Sequence, residues 1–470
     1  MSATQETEEQ KTDMPITDLL GKAIFFSLLG LIVLTAIPYG TVETWWRAFF
    51  VCVVFALCIL WIIENFLSES WSTGGGAVLL PLFVLAGFSL LQTITLGPVD
   101  TPIPGIPYSP WNAISADPYE TRFFALQLLG LTMAGALFYR YAASAGRIGA
   151  LVNVIIAVAV ASAIYGLLRQ TTQHSLGFGL PLLKPNEGYG QFVNKNHFAY
   201  LMEMGLGLSL GMIAGGGVKR ERALIYFASL LPIWTALVLS NSRGGILGML
   251  AQLVAGVLLL TIVVPASKSN GSQLKIVSFA RLFPVRVLLL LLLLLGVAGG
   301  TIWLGGEQLA SRIEETHGEF DLTTDESRQG ASRNEIWRST WQMFKANPIV
   351  GVGMNGYWAA IPAYHDASGM LTPQEAHNEY LELLSSGGIV GLAIGAWFAL
   401  VVFSRIRENL RSPNRFRRTT CFAASLGIVG VAVHSLLDFG LHMIVNALVF
   451  MALVVIATCR WERESRLRYV

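Results

Sequence analysis

The fold is decided by uncharged apolar runs such as VLLLLLLLLGVAGGTIWLG at residues 287–305. A helix of about 20 such residues crosses the hydrocarbon core of a bilayer, which is about 30 Å thick. The chain contains twelve runs of this kind, at roughly residues 20–38, 46–66, 76–97, 122–139, 148–168, 197–217, 223–240, 244–264, 287–305, 387–403, 420–437 and 442–459. We therefore expect an all-α polytopic membrane protein with about twelve transmembrane helices.

The composition agrees with this fold class and excludes others. Hydrophobic residues make up 53% of the 470 residues and charged residues 13%, where soluble domains carry about 25% charged residues. A soluble fold of this length would need far more polar surface, so a cytosolic enzyme is excluded. The four cysteines all fall in apolar runs, which argues against a disulfide-stapled secreted domain and a Cys-ligated zinc site.

The basic residues predict the orientation of the spans. Twelve spans put both termini on one side, and a cytoplasmic placement of the termini brings 21 of the 32 Lys and Arg residues to the cytoplasm. Residues 1–17 are polar, lack the apolar core of a signal peptide and are predicted to be a disordered cytoplasmic tail. Residues 460–470 are predicted to be the second cytoplasmic tail.

Between these tails the chain is predicted to divide into three parts. Residues 18–305 hold transmembrane helices one to nine, residues 306–386 form one large outer loop, and residues 387–459 hold helices ten to twelve. The loop is too long for a simple connection, so it is the expected functional element. All seven histidines also map to outer loops or outer helix ends, which indicates polar chemistry on that face.

Two helices are predicted in the second half of the loop. Ser332 and Glu335 form a capping box, which is followed by an apolar stripe up to Pro348. This stripe consists of Trp337, Trp341 and Phe344. The second helix is predicted to start at residues 372–375, where Thr, Pro and Glu have capping-box spacing. It would carry His377 on its apolar face and end at residues 387–388.

Four segments match, in order, the pattern of a known family. They are residues 191–198 (QFVNKNHF), 240–245 (SNSRGG), 332–337 (SRNEIW) with 347–353 (NPIVGVG), and 376–381 (AHNEYL). Together they resemble the O-antigen ligase superfamily, which also contains O-antigen polymerases and pilin oligosaccharyltransferases. The match covers roughly residues 190–400, and the twelve-span layout with one large outer loop agrees with it.

The resemblance implies a membrane glycosyltransferase of the bacterial inner membrane that uses neither a metal ion nor another cofactor. Its donor would be a glycan on undecaprenyl diphosphate, and its active site would face the periplasm. The preferred acceptor is a hydroxyl of lipid A–core, as in O-antigen ligases. A growing polysaccharide or a protein hydroxyl is the alternative, as in polymerases and protein O-oligosaccharyltransferases. The expected partners are lipids and glycans, and no nucleic acid.

The functional residues of the family correspond here to Arg243, Arg333 and His377. Departure of a lipid diphosphate develops negative charge on phosphate oxygens, which guanidinium groups can bind bidentately. A histidine, whose ordinary pKa is near 6.5, suits removal of the proton from an acceptor hydroxyl. On residue type alone, an interfacial arginine, a solvated loop charge and a packed histidine remain the respective alternatives.

Further candidates lie at the predicted start of span six. The polar cluster there consists of Asn194, Lys195, Asn196 and His197. This cluster either binds the donor or marks the membrane interface. Arg338 competes with Arg333 for the diphosphate. Glu203, inside span six, is expected to pair with a neighbouring helix rather than to line the donor cavity, because an ionised group is costly there.

Carboxylates near the histidines complete the candidate set. Glu375 and Glu379 are close to His377 in sequence and could raise its basicity. Three residues near the end of the chain have helical spacing: His434, Asp438 and His442. They would share one helical face, where a hydrogen-bonded network is favoured over a metal site.

A transporter or lipid flippase is the competing class, since twelve spans with both termini inside are also common among transporters. Such proteins usually show internal repeats and polar groups at the membrane midplane. No repeat is detectable between residues 1–235 and 236–470, and the polar residues gather at the outer end. The sequence therefore favours the glycosyltransferase.

Overall fold

The protein is described here from a computed structural model that covers residues 16–37, 39–69, 71, 75–95, 113–172, 183, 188–217, 219–263, 333–365 and 373–460. Over these residues the chain forms thirteen α-helices, two short 3-10 helices and no strands. The predicted ninth span, most of both predicted tails and the first part of the large loop lie outside the described residues.

Eight helices lie before residue 264: α1 (Ile16–Ala36), α2 (Thr44–Ser68), α3 (Gly76–Gln92), α4 (Pro118–Tyr141), α5 (Ala145–Thr171), α6 (Lys195–Ala214), α7 (Arg220–Leu239) and α8 (Arg243–Val263). Five more lie after residue 332: α9 (Arg333–Ala346), α10 (Tyr357–Ala360), α11 (Glu379–Asn409), α12 (Arg415–His434) and α13 (Ile444–Thr458). The 3-10 helices are Ile361–Ala363 and Gly440–His442.

Among the described residues, nine helices are long and apolar enough to cross a membrane: α1, α2, α4 to α8, α11 and α12. The shorter apolar helices α3 and α13 coincide with two more predicted spans. Large apolar side chains such as Phe26, Leu231 and Leu400 are more than 60% exposed on these helices, as expected for surfaces that contact lipid. The class predicted from the sequence, an all-α polytopic membrane protein, is confirmed.

Helices α6 and α12 pack in direct backbone contact at the centre of the bundle. A Cβ atom at Gly207 would lie 2.5 Å from the backbone nitrogen of Gly427, and one at Gly211 would lie 2.2 Å from the Cα atom of Ala423. Small residues allow this approach, as they commonly do between membrane helices. The antiparallel contact brings the start of α6 to the end of α12.

The starts of α6, α8 and α11 and the end of α12 meet at one end of the bundle, which we call the site end. Ser242, just before α8, donates its hydroxyl hydrogen to Oδ1 of Asn196 on α6 at 2.9 Å. The backbone N–H of Glu379, the first residue of α11, donates to the carbonyl of Ser435, just after α12, at 3.0 Å. These bonds fix four helix termini around one point.

Residues 333–365 and 373–378 form a cap over the site end. The cap has its own apolar core, which consists of Met343, Val352, Tyr357, Ala360, Ile361 and Ala376. The buried side chain of Gln92, at the end of α3, connects the cap to the bundle through hydrogen bonds. The amide nitrogen of Gln92 donates to the carbonyls of Val350 (2.6 Å) and Ser386 (3.0 Å), and its amide oxygen accepts from the backbone N–H of Met354 (3.0 Å).

The first predicted loop helix corresponds to α9, which starts at Arg333 and ends at Ala346, shortly before Pro348. Ser332 of the predicted capping box lies outside the described residues. The buried face of α9 consists of Ile336, Ser339, Thr340 and Met343. Trp341 of the predicted apolar stripe is 47% exposed, so that stripe is not the face that packs against the cap core.

The second predicted loop helix starts later than the sequence suggested. Its first residue is Glu379, because the side chain of Asn378 accepts the N–H groups of Tyr380 and Leu381 at 3.0 Å each and so caps α11. His377 has a φ of +49°, a left-handed conformation that a helix does not contain. The predicted placement of His377 on a helix face is therefore wrong, and His377 lies in the turn before α11.

The predicted break at residues 387–388 is a kink rather than an end. Gly388 has φ 63° and ψ −163°, and α11 continues beyond it to Asn409. A side chain there would collide with the cap, since a Cβ atom would lie 2.2 Å from the carbonyl oxygen of Ile349. The last loop helix and span ten are thus one kinked helix.

Candidate functional site

A polar pocket opens at the site end. Its lining consists of Lys195, Asn196, Asn241, Arg243, Gly244, Arg333, His434, Leu437 and Asp438. These residues come from the start of α6, the start of α8, the first residue of α9 and the chain at and after the end of α12. Three of them are cations, so the pocket is suited to a ligand with several negative charges.

Arg243 reaches the pocket from the first position of α8. The hydroxyl of Ser242 accepts the N–H of Gly245 at 3.1 Å, and Asn241 before it has a left-handed φ of +52°, so the turn into α8 is tight. Backbone N–H groups at a helix start lack intrahelical acceptors and favour anions. The predicted helix junction at Arg243 is present, and the guanidinium group and the helix terminus face the same pocket.

Arg333 enters the same pocket from the first position of α9, as part of the cap. The two arginines that the family resemblance singled out therefore line one cavity, together with Lys195. Arg338, the competing loop arginine, lies on the exposed surface of α9 instead. Arg338 is not among the residues that line the pocket, so its role in binding the diphosphate stays a prediction.

His377 is paired with Asp438, whose side chain also lines the pocket. Nδ1 of His377 lies 3.5 Å from Oδ1 of Asp438, and the Asp438 side chain is 1% exposed. Asp438 further accepts the backbone N–H of Phe439 at 2.9 Å and the side-chain amide of Asn196. The His377 side chain is about one third exposed, and its buried Nδ1 atom faces the Asp438 carboxylate at ion-pair distance, without the geometry of a hydrogen bond.

The electrostatics of this pair fix the charge of Asp438. Burial alone would raise the pKa of Asp438, but the close contact with His377 and the charges of His197 and His377 outweigh burial and hold the pKa well below its usual range. Asp438 is therefore a carboxylate at neutral pH. It can accept Nδ1–H of His377, which leaves Nε2 of His377 as the proton acceptor.

The carboxylates expected near His377 surround His442 instead. Distances from the ring nitrogens of His442 are 3.5 Å to Oε1 of Glu375, 3.5 Å to Oε2 of Glu379 and 3.6 Å to Oε1 of Glu382. Burial would lower the pKa of His442, but the three carboxylates raise it well above its usual value. The charge of His377 still helps to lower the pKa of Glu375, after the larger effects of burial, His442 and Glu382. Support of His377 by Glu375 and Glu379 therefore stays a prediction.

The predicted common face of His434, Asp438 and His442 does not form. Helix α12 ends at His434, and the chain turns before entering the 3-10 helix Gly440–His442. Each of the three residues joins a different carboxylate contact, so hydrogen-bonded pairs replace the shared face. Within the described part of the chain, Glu375, Glu382 and His442 offer potential metal-ligand atoms within 4.8 Å of one another.

Glu203 is fully buried in α6 and pairs with His434 of α12. Its Oε1 atom lies 2.9 Å from Nδ1 of His434. The ring of Tyr200 stacks on His434 with centroids 4.0 Å apart, and the amide of Gln252 donates to the Glu203 carbonyl at 2.8 Å. Of the two roles expected for Glu203, the structure shows the helix-to-helix pair.

The polar cluster at the start of α6 divides into two groups. Lys195 and Asn196 line the pocket. Asn194 caps α6 by accepting the N–H of Asn196 at 2.8 Å, and His197 is buried with its ring 4.9 Å from that of Phe439. Asn194 and His197 therefore stabilise the start of α6 behind the residues that line the pocket.

Two lining residues were missed by sequence reasoning. Asn241 belongs to the 240–245 segment, so the motif itself could have indicated it. Leu437 is an apolar residue in an apolar stretch and gives no sequence signal. The contribution of Asp438 to the His377 site was also missed, because the two residues come together only through the turn that follows α12.

The bundle and its cationic pocket define a multi-pass helical membrane protein with a polar site at one end. The family model for O-antigen ligase (Wzy_C) matches residues 227–396, a range that contains Arg243, Arg333 and His377. This match confirms the resemblance to the O-antigen ligase superfamily that was noted in the sequence. The family supports a membrane glycosyltransferase at this general level. A comparison with curated proteins gives no match.

Proposed function

We propose that the protein transfers a glycan from undecaprenyl diphosphate to an acceptor hydroxyl in the site-end pocket. One observation carries this proposal: the cations Lys195, Arg243 and Arg333 line one cavity with Asp438. The carboxylate of Asp438 in turn lies 3.5 Å from Nδ1 of His377. A polyanion site and a candidate general base are therefore adjacent.

The cationic side of the pocket suits the diphosphate of the donor. As the bond between the anomeric carbon and the phosphate oxygen breaks, its electron pair passes to the diphosphate. Arg243 and Arg333 are placed to stabilise that charge through paired N–H donors, and the start of α8 adds backbone N–H groups. Lys195, at the start of α6, supplies a third positive charge to the same pocket.

Activation of the acceptor is assigned to His377, which does not itself line the pocket but contacts the lining residue Asp438. Nε2 of His377 takes the proton of the acceptor hydroxyl while Asp438 accepts Nδ1–H and stabilises the imidazolium that forms. The acceptor oxygen bonds to the anomeric carbon on the face opposite the departing diphosphate, which inverts that centre. The proton ends on His377 and the negative charge on the lipid diphosphate.

The family and the positions of the charges support a proposal for the acceptor and for the location. Lipid A–core is the acceptor we favour, as in O-antigen ligases, with a lipid-linked polysaccharide or a protein hydroxyl as the alternatives. Arginines such as Arg140, Arg147, Arg405 and Arg415 cluster at the end of the bundle opposite the pocket. This favours a site end that faces the periplasm of the inner membrane, with both termini in the cytoplasm.

A transfer assay on the purified full-length protein tests the proposal. A labelled glycan on undecaprenyl diphosphate is offered with lipid A–core, with a second lipid-linked repeat, or with a pilin substrate. We expect transfer to one of these acceptors, its loss in Arg243→Ala, partial recovery in Arg243→Lys and normal transfer in Lys345→Ala, which changes a cation outside the pocket. Lipid translocation without transfer to any acceptor would favour the flippase class instead.

A further inference from the structure

The pocket wall contains a histidine that the proposed reaction does not use. His434 is the last residue of α12 and lines the pocket, yet its side chain is only 1% exposed. Its Nδ1 atom is engaged by Oε1 of Glu203 at 2.9 Å. The stacked ring of Tyr200 fixes the plane of the imidazole from one side. His434 is therefore held rigidly at the base of the cationic cavity.

The second ring nitrogen of His434 is directed away from Glu203, because Nδ1 and Nε2 lie on opposite edges of an imidazole. The edge that carries Nε2 lies against Gly244, where a Cβ atom would be 2.4 Å from Nε2. Gly244 lines the same pocket. Among the described residues, Nε2 of His434 is buried and has no hydrogen-bond partner. A buried polar atom of this kind is costly unless a ligand satisfies it.

The protons of the Glu203–His434 pair determine what Nε2 can do. Burial of both side chains disfavours a net charge on the pair. Nε2 of His434 is a hydrogen-bond donor in the tautomer in which Nδ1 accepts a hydrogen bond from the carboxyl group of Glu203. An anion beside Nε2 selects this tautomer, because the anion can only accept a hydrogen bond.

The surroundings select the ligand for this donor. Lys195, Arg243 and Arg333 line the same cavity, so an anion is favoured over a neutral group. Because Gly244 has no Cβ atom, the Nε2 edge of His434 packs directly on the backbone at the point where α8 begins. A tetrahedral phosphate bound at the start of α8 would lie beside this edge of the imidazole.

We propose that His434 is a phosphate-binding residue whose Nε2–H group donates to an oxygen of the donor diphosphate, with Glu203 holding the ring in place. This inference rests on the proposed function and adds a donor from within the bundle to the cations that the family resemblance identified. The ligand class is the diphosphate of a polyprenyl-linked glycan, for which inorganic pyrophosphate is a soluble probe.

Two substitutions at one position separate the pocket contact from the structural pair. His434→Asn keeps an amide near the position of Nδ1, facing Glu203, and removes the Nε2 donor. His434→Gln places an amide near the position of Nε2 and gives up the contact with Glu203. His365→Asn, in the cap, is the matched control. Affinities for pyrophosphate and for undecaprenyl diphosphate are measured by calorimetry on the full-length protein in detergent, with thermal unfolding recorded for each variant.

We expect His434→Asn to weaken pyrophosphate binding about ten- to hundredfold, the range for a lost hydrogen bond to a charged group. His434→Gln should lose less affinity than His434→Asn although it destabilises the fold more. His365→Asn should bind as the unmodified protein does. Unchanged affinity in His434→Asn, together with lost affinity in Arg243→Ala, would overturn the role of His434 and leave the proposed function standing.

A measurement on the unmodified protein covers the case in which His434→Asn does not fold. In protein labelled with ¹⁵N-histidine, the Nε2 resonance of His434 is assigned by its absence from His434→Gln. We expect this resonance to shift on addition of pyrophosphate and to saturate at the same concentration as binding. A bound state without such a shift would overturn the contact. Failure of the unmodified protein to bind either diphosphate would overturn the proposed function itself.

Discussion

Two histidines at the site end, His377 and His442, differ in the number of carboxylates that surround them. His377 has one carboxylate, Asp438, on its Nδ1 edge, and about a third of its side chain is exposed. His442 has three carboxylates around both ring nitrogens. One carboxylate orients an imidazole and leaves it able to accept a proton, whereas three keep it protonated. The first arrangement suits catalysis, and the second suits a fixed ionic link.

The ion pairs of His442 connect the 3-10 helix before α13 to the cap and to the start of α11. Glu379 and Glu382 belong to α11, Glu375 to the cap, and His442 to the 3-10 helix before α13. Glu379 also accepts the backbone N–H of Leu441 at 3.0 Å, and Glu382 accepts that of Ala376 at 3.0 Å. The protonated His442 thereby holds the segment that carries His377 in position.

The largest expected effect is on His377. We predict that His377→Ala lowers the transfer rate about 10²–10⁴-fold, the usual contribution of general base catalysis. His377→Gln should fall as far, since an amide cannot accept the proton at neutral pH. Initial rates at saturating donor measure this, with donor binding determined separately. Near-normal turnover in His377→Gln would break the comparison and leave His377 as a residue that orients the acceptor.

The next effect sharpens the role of the single carboxylate. Asp438→Asn preserves size but no longer favours the tautomer with Nδ1–H, so we predict a loss of about 10²-fold or more in transfer rate. Glu375→Gln, at the other histidine, should leave the transfer rate within about tenfold. The same rate assay on both variants gives the answer. Equal losses would show that the two histidines are not functionally distinct.

A third prediction concerns stability rather than rate. His442→Gln removes the only positive charge that the contacts above place among Glu375, Glu379 and Glu382, so we expect the free energy of unfolding to fall by about 3 kcal/mol. His365→Gln, a cap histidine outside this cluster, is the control. Thermal unfolding in detergent measures both. A melting temperature of His442→Gln equal to that of the control would contradict the ionic link.

The pH dependence of that stability has a definite sign. The pKa of His442 is raised in the folded protein, so its stabilisation is complete below the unfolded value of about 6.5 and is lost as the pH rises through the folded pKa. The pKa of Asp438 is lowered, so its stabilisation is complete above about 3.9 and is lost as the pH falls through the folded pKa. We expect the stability gap between the unmodified protein and His442→Gln to narrow in alkaline buffer.

The smallest expected effect is that of chelation. The three cations of the pocket supply positive charge for the diphosphate in the proposed reaction, so transfer should proceed in EDTA without an added divalent ion. If Mg²⁺ or Ca²⁺ is required for transfer, and Glu382→Gln can no longer be activated by the ion, the result would instead assign a metal to Glu375, Glu382 and His442. In that case His442 would be a metal ligand rather than a protonated link.

The spans could be predicted from sequence because membrane insertion depends on a local quantity, the length of an apolar run. The position of Arg243 at a helix start was predictable for a similar reason, since glycines and a serine mark that junction. The partner of His377 was not predictable. It depends on a left-handed turn at His377 itself and on the end of α12 at His434, and neither leaves a periodic signal in the sequence.

The helix start before span ten shows a competition between two caps. Residues 372–375 have capping-box spacing, but Asn378 lies directly before an apolar helical run and satisfies two N–H groups by itself. Sequence patterns rank such alternatives poorly, because each is locally adequate and tertiary contacts decide between them. Here the bond from Glu379 N–H to Ser435 and the contacts of His442 favour the later start.

The kink at Gly388 has a mechanical consequence for substrate entry. It frees the N–H groups of Ile389 and Val390, which donate instead to the cap carbonyls of Pro348 (2.9 Å) and Ile349 (3.2 Å). Raising the cap would leave these groups without acceptors beside apolar, lipid-facing side chains, at a cost of several kcal/mol. These hydrogen bonds therefore keep the cap in a fixed position over the site end. In the proposed reaction, the lipid-linked donor would therefore reach the pocket beneath the cap while its tail stays in the membrane.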